Sequence, residues 1–313
     1  MQLALITGAN GSVGKGICQQ LLETFSDIHL ILACRSLKNA ELCDLSDTNS
    51  VFNMVQKVKE RFVVLDYLFL NAGIMPVDRI DLAHGVTKLL TDPGYVARTG
   101  GDIIVQEVGK QTPQGLGQVF AANVFGHYIL VKEFTDLLSA SGAGKVIWCS
   151  STTASETAFF DPEDFQCLHG PKPYESSKRL CELISIGVNA ELRERNVYSF
   201  ITSPGNVLSG ITKGAVGEFL ILFALILMRI FFCSGINITG YNAATSALWV
   251  AKSEPEKINP NLMYHSEINI LAQRWVRSIE LKYDEKDDIM SKKLVRKLNL
   301  LYGKYKQEWT NHK

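Results

Sequence analysis

The chain has 313 residues, with 32 Lys plus Arg against 32 Asp plus Glu, so its formal net charge is zero. That balance excludes a global basic field of the kind that recruits nucleic acid or acidic lipid without specificity. The length suits one large domain or two small ones, and composition alone leaves the number open.

The sequence opens on an apolar strand, LALITG, with no basic leader before it, so no secretory signal is expected. A glycine-bearing turn follows, then GKGICQQLLETF, whose apolar residues recur at helical spacing. IHLILACR reads as a second strand. NSVFNMVQKVKERF reads as a helix, with Ser46 and Asp47 available at its start. LDYLFLNAG is a third strand, ending at a turn that contains Gly73. From Ile74 to Gln118 the periodicity weakens, and a long connection of this kind in an α/β chain serves as a pocket wall or a partner surface. A long helix (LGQVFAANVFGHYILVKEFTDLL), a strand (GKVIWCSS), a second long helix (YESSKRLCELISIGVNAELRER) and a strand (VYSFITSPG) complete the alternation.

Nearly all-apolar strands alternating with helices indicate a parallel sheet covered on both faces. The expected fold is α/β: a Rossmann-like, doubly wound, mainly parallel sheet in a single domain. Its core takes about residues 1–210. Residues 211–313 supply a substrate lid, an apolar helical insertion, a helix near YNAATSALWVAK and a charged C-terminal helical extension. Mixed charges in that extension suit a solvated helix or an interaction element. The apolar stretch Phe219–Cys233 is 15 residues long and contains Arg229, short of the roughly 20 residues that cross a bilayer. It reads as a buried core helix, an interfacial helix or a poor membrane span. The seven cysteines form no CxxC pair, so buried free thiols are expected rather than a disulfide framework or a metal site.

The first strand runs straight into TGANGSVG, Thr7–Gly14. Glycine lets a pyrophosphate approach the backbone, and the following helix turns its amides and positive dipole end toward phosphate. A dinucleotide site is therefore expected at Gly8, Asn10, Gly11, Ser12, Val13 and Gly14. The second strand ends in Arg35 where an NAD site commonly offers an acid. A guanidinium there pairs with a 2′-phosphate, which favours NADP; the alternative is a solvated strand-end charge.

On a helix, Tyr174 and Lys178 share one face, one turn apart. A free phenol titrates near pH 10, and a neighbouring ammonium with an oxidised nicotinamide favours its ionised form. Tyr174 then exchanges a proton with a carbonyl or alcohol oxygen. Ser151, at the end of GKVIWCSS, donates a hydrogen bond to that oxygen or serves as a turn serine, with Ser150 as the reserve. Asn123 holds a water or a bent backbone beside Lys178, or is a satisfied helical amide.

The ordered set TGANGSVG, CDL, NAG, NVFGHY, CSS, YESSK and SPGNV resembles the short-chain dehydrogenase/reductase family. The resemblance implies Tyr174 as acid–base, Lys178 as its tuning charge and ribose contact, Ser151 as substrate-orienting residue and Asn123 in the proton relay. It further implies Asp44 and Leu45 on the adenine side, Asn71 and Gly73 beside the cofactor, and Pro204, Gly205 and Val207 on the nicotinamide side. Later segments, including DPEDFQ and the apolar block, resemble the family's steroid-reductase subgroup. That implies NADPH-dependent reduction of a sterol or steroid ketone at the cytoplasmic face of the endoplasmic reticulum membrane. The alternative location is the cytoplasm. Alternative functions are a retinal or other lipid-carbonyl reductase and an impaired NADP-binding scaffold. Expected partners are the hydrophobic ketone, a membrane surface met through 219–233, and a second copy or another sterol enzyme.

Two departures stand out. Ser12 takes the middle glycine of the family turn, with Gly11 expected to relieve it. Between Arg35 and Asp44 there is no room for the usual covering helix, which leaves part of the sheet bare or covered by a partner.

Overall fold

Strands buried on both faces build the centre of the sheet in the computed structural model, which describes residues 1–35, 41–92, 103–155, 159–207 and 235–311. β1 (Gln2–Thr7) pairs with β2 (Ile28–Cys34), which carries the short β3 (Glu41–Leu42) at its far edge. On its other side β1 pairs with β4 (Tyr67–Leu70). β5 (Val77–Ile80) and β6 (Ile104–Gln106) form a separate antiparallel pair within the long connection. Next to β4 in the main sheet lie β7 (Gly144–Cys149) and β8 (Val197–Ser203). β9 (Asn206–Val207) and β10 (Ile236–Ile238) form a small parallel pair. β11 (Leu262–Ile268) and β12 (Arg274–Glu280) complete an eight-stranded sheet in the order β12-β11-β8-β7-β4-β1-β2-β3. Every pairing in it is parallel except the β11–β12 hairpin, as expected for a doubly wound fold.

Alternate side chains divide the core into two layers. On one face Ala4, Ile6, Phe69 and Phe200 pack with residues of α1 (Ser12–Thr24) and of a later helix, Thr245–Lys252. On the other face Leu5, Leu68, Val146 and Trp148 meet α2 (Thr48–Arg61) and other helices. Between them in sequence, α3 (Leu82–Thr91) follows β5. A helix that starts at Gln118–Phe120 passes through a π-helical segment, Ala121–Phe125, into α4 (Gly126–Ala140). α5 (Pro173–Arg193) follows β7, and α6 (Gly240–Ala243) leads into α7, the Thr245–Lys252 helix. α8 (Glu285–Asn311) closes the chain.

Two features depart from the sequence reading. The sheet continues past residue 210, because β11 pairs with β8 through Met263, Tyr264 and His265. β11 was missed because it buries polar residues, His265, Ser266 and Glu267. His265 Nδ1 lies 3.0 Å from Ser203 Oγ, and Glu267 is bridged by Arg277 at 2.5 Å. The charged C-terminal helix is also more than a solvated one: α8 buries Leu294, Val295, Leu298 and Tyr305 against the α2/α4/α5 layer. The short segment after Arg35 follows that reading: among the described residues, β3 pairs only with Ala33 and Cys34 at the end of β2. A parallel strand of full length needs a crossover of a dozen or more residues; two residues beside the strand end do not. Leu42, 58% exposed, lies bare in this region.

The apolar stretch 219–233 lies outside the described residues. Among the described residues no helix is long and apolar enough to cross a membrane, and no group of His, Cys, Asp or Glu is placed to hold a metal. The six described cysteines are free thiols.

Candidate active site

β1 stands at the point where the strand order reverses, between β4 and β2, and a crevice opens there at the carboxyl ends of parallel strands. Thr7 ties the two central strand ends together. Its Oγ1 donates to the Phe69 carbonyl at 3.1 Å and accepts from the amides of Asn71 and Ala72 at 2.9 and 3.1 Å. Asn71 Nδ2 donates to the Thr7 carbonyl at 3.0 Å. Gly8 follows at φ +63°, and a Cβ there would lie 2.9 Å from Ala72 Cα. Only glycine accepts both that backbone and that approach.

α1 begins at Gly11 with no side-chain cap and no acidic residue in its first turn. A Cβ at Gly14 would come within 2.3 Å of the Gly8 carbonyl, so helix and turn are packed backbone to backbone. This uncapped helix start on a glycine turn fits a phosphate. Gly11 itself sits at φ −73°, extended backbone open to any residue, so it does not relieve the turn as expected; Gly8 provides the left-handed position. Ser12 opens α1 with its carbonyl against Gly240. Asn10 is exposed on the turn. Val13 lines the crevice together with Asn71, Cys149, Thr202 and Pro204.

Of the other residues expected on the cofactor side, Pro204 lines that crevice. Arg35 is exposed immediately after β2. Asp44 Oδ1 accepts from the amide and hydroxyl of Ser46 at 2.9 and 2.7 Å, which shapes the turn into α2. Leu45 is buried against Gly126 at the start of α4. Pro204 accepts from Asn237 Nδ2 at 2.7 Å. Gly205 adopts φ +70°, with its Cα face against Gly235, and Val207 pairs with Ile238.

The chemical residues converge from β7, the π-helical segment and α5. Lys178 Nζ lies 5.6 Å from the centre of the Tyr174 ring and donates to the Cys149 carbonyl at 2.7 Å. Asn123 Oδ1 accepts from the Ile74 amide at 2.8 Å. Its Nδ2 donates to the Ile74 carbonyl at 3.0 Å and to Ser177 Oγ at 2.9 Å. Ser177 Oγ in turn donates to the Tyr174 carbonyl at 2.6 Å. Asn123 itself sits in a π-helical turn, and the backbone its side chain holds is that of Ile74; the Asn123 carbonyl accepts from Cys181 Sγ at 3.4 Å and lies 3.0 Å from His127 Nδ1. A Cβ on Gly73 would lie 3.5 Å from Asn123 Oδ1 and 3.6 Å from Lys178 Nζ, so these three residues share one wall.

The two serines separate cleanly. Ser151 is half-buried, with its Oγ 2.9 Å from Thr153 Oγ1. Ser150 is buried and donates to Glu182 Oε1 at 2.9 Å, which removes it as the reserve.

At Tyr174 burial and the neighbouring ammonium act in opposite senses. Burial pushes the Tyr174 phenol above its ordinary value, and Lys178 opposes this without overcoming it. Burial works against the Lys178 ammonium, yet Tyr174, Cys149 and Cys181 together hold it above its ordinary value. Burial, then Lys178, drives His127 down to about 3, so this imidazole is neutral. Sequence reasoning missed Thr7, His127, Ser177 and Gln106. His127 alone left a signal, four residues after Asn123 on an apolar helix.

No profile of a known protein family matches the chain. It is 32% identical to the 3-keto-steroid reductase/17-beta-hydroxysteroid dehydrogenase 7 of Homo sapiens over 306 residues, covering 91% of this chain and 89% of the human protein. The protein of the same name from Rattus norvegicus is 32% identical over 305 residues, covering 91% of each. The 3-keto-steroid reductase of Schizosaccharomyces pombe is 30% identical over 280 residues, 79% of this chain and 81% of that one. Among solved structures, a 3-ketoacyl-(acyl-carrier-protein) reductase from Brucella melitensis complexed with NADH superposes with TM-score 0.56 at 15% identity, covering 83% of this chain and 94% of that one. A metagenomic short-chain oxidoreductase in complex with NADP gives 0.51 at 17% identity, covering 82% and 94%; both likenesses concern the fold. On that fold, with the ordered motifs in place and nearly one-third identity along most of its length, the chain belongs to the short-chain dehydrogenase/reductase family, among its 3-keto-steroid reductases.

Proposed function

We propose that the protein reduces a ketone on a sterol or steroid with NADPH, chiefly the 3-keto group of a sterol-biosynthetic intermediate to the 3β-alcohol, with 17-keto steroids as further substrates. The observation that carries this is the Tyr174–Lys178 pair on α5, facing the strand ends where the glycine turn and Asn71 lie.

When bound, the cofactor supplies hydride to the carbonyl carbon. The uncapped start of α1 receives its pyrophosphate, and Arg35 pairs with its 2′-phosphate, in preference to the bare ribose of NAD. Tyr174 gives its proton to the carbonyl oxygen, and Ser151 donates a hydrogen bond to the same oxygen as negative charge develops. Elevation of the Tyr174 phenol suits this direction, because a donor must carry its proton at neutral pH. Lys178 steadies the phenolate that results and holds the nicotinamide ribose. Asn123 keeps the relay geometry through Ile74 and Ser177.

The apolar stretch 219–233 joins the protein to the cytoplasmic face of the endoplasmic reticulum membrane, where sterol ketones partition. A homodimer or a complex with another sterol enzyme is the assembly we propose there. NADPH oxidation with a 3-keto sterol, a 17-keto steroid and retinal tests the substrate assignment: the 3-keto sterol is turned over fastest, and a preference for retinal would transfer the protein to general lipid-carbonyl reduction. The two-residue β3 favours a second reading, an NADP-binding scaffold; binding of NADPH with no turnover of any ketone would select it.

A further inference from the structure

α5 begins at a weak point. The first amides of a helix have no partner within it and are normally met by the side chain of the preceding capping residue. Here that residue is Lys172, which makes no side-chain cap, and Pro173 brings no amide of its own. The first amide needing an acceptor is therefore that of Tyr174.

The acceptor comes from a different part of the chain. Gln106, the last residue of β6 and only 4% exposed, accepts from the Tyr174 amide through Oε1 at 2.8 Å. Its Nε2 donates to Glu175 Oε2 at 2.6 Å. One side-chain amide thus engages two consecutive residues of α5. β6 is itself tied back toward the site: the Glu107 amide donates to the Pro76 carbonyl at 3.0 Å, two residues beyond the Ile74–Asn123 bonds. On the far side of the tyrosine, Ser177 Oγ holds the Tyr174 carbonyl. Both backbone polar groups of Tyr174 are therefore held by side chains, one linked to Asn123 directly and the other through the β5–β6 connection.

We propose that Gln106 is a positioning residue for the reduction, capping α5 from across the fold so that Tyr174 is held in register with the carbonyl it protonates and the Glu175 carboxylate is kept in place beside it. The inference rests on the assignment of Tyr174 as the proton donor. Its electrostatic side is supported by Glu175, which acts to disfavour the Tyr174 phenolate; a carboxylate held by an amide donor is a fixed contributor.

The test uses the full chain with NADPH and a 3-keto sterol, reading kcat, both KM values, the pH profile and thermal unfolding. Gln106→Met removes both bonds and lowers kcat about tenfold, the size of one lost hydrogen bond converted to rate, while the KM for NADPH moves less than about twofold. Gln106→Glu keeps an acceptor for the Tyr174 amide but opposes Glu175 with a second charge; kcat falls and the alkaline limb of the profile moves to higher pH. The double exchange Gln106→Glu/Glu175→Gln restores a donor–acceptor pair between the two side chains and returns kcat to within about threefold of wild type. A folded Gln106→Met with wild-type kcat and pH profile would overturn the proposal. If that variant does not fold, failure of the double exchange to recover the activity lost in Gln106→Glu would overturn it equally. Tyr174→Phe, run in parallel, separates the two levels: turnover retained there removes the underlying assignment, whereas turnover abolished there but intact in the Gln106 variants removes only the role of Gln106.

Discussion

Lys178 and Cys149 are joined by a 2.7 Å hydrogen bond from the ammonium to the backbone carbonyl. The charge that faces Tyr174 is thereby fixed by the strand that leads into Ser151. A mobile lysine would lose that orientation to solvent; here the acid and the serine inherit a common frame from β7. Lys178→Met removes the positive group that opposes elevation of the Tyr174 phenol. The expected result is a fall in kcat of about 10²-fold or more, with the alkaline limb of the pH profile for reduction displaced upward.

Arg35 is exposed immediately after β2, the position proposed to meet the 2′-phosphate. Arg35→Ala should reduce the preference for NADPH over NADH by about tenfold or more, the worth of a charge-assisted hydrogen bond, with kcat at saturating NADPH little changed. Coenzyme competition assays on both proteins measure it; an unaltered preference would assign the 2′-phosphate to another residue.

Stability should carry the mark of His127. Its imidazole falls from an ordinary 6.5 to about 3 in the fold, so the unfolded chain takes up a proton first as pH drops. This contribution is present above pH 6.5 and is lost progressively toward pH 3, on the order of a few kcal/mol. Glu182 acts in the opposite sense. Burial raises its carboxyl from 4.5 to about 7, so its contribution is full below pH 4.5 and is lost as pH rises through 7. The diagnostic quantity is therefore the difference in thermal midpoint between wild type and His127→Gln, which shrinks from pH 7 to pH 4; a constant difference would show that the imidazole titrates alike in the folded and unfolded chain.

Leu298 tests whether α8 belongs to the core. It is 1% exposed within the α2/α4/α5 layer, and Leu298→Ala should cost about 2–5 kcal/mol, read from chemical denaturation. A solvated C-terminal helix would tolerate the change with less than about 0.5 kcal/mol.

What was legible in the sequence is what local pattern encodes. The apolar strands β1, β2, β4, β7 and β8 announce themselves by composition, and the Tyr174/Lys178 face follows from helical spacing. β11 was hidden because its buried His265, Ser266 and Glu267 are compensated by partners distant in sequence. α8 was misjudged because a narrow stripe of Leu294, Leu298 and Tyr305 is diluted by the charges around it. Gln106 gave no signal at all, since its partners lie 68 and 69 positions away. Spacing likewise shows the ammonium that favours the Tyr174 phenolate, whereas the larger, opposing effect of burial is set by the whole fold.

The most direct test is NADPH oxidation with a 3-keto sterol by wild type and Tyr174→Phe, alongside NADPH binding to each. Loss of about 10²-fold or more in kcat with cofactor affinity kept within about twofold is the predicted result. Turnover by the phenylalanine variant near the wild-type rate would contradict the account, because the proton would then come from a group other than Tyr174.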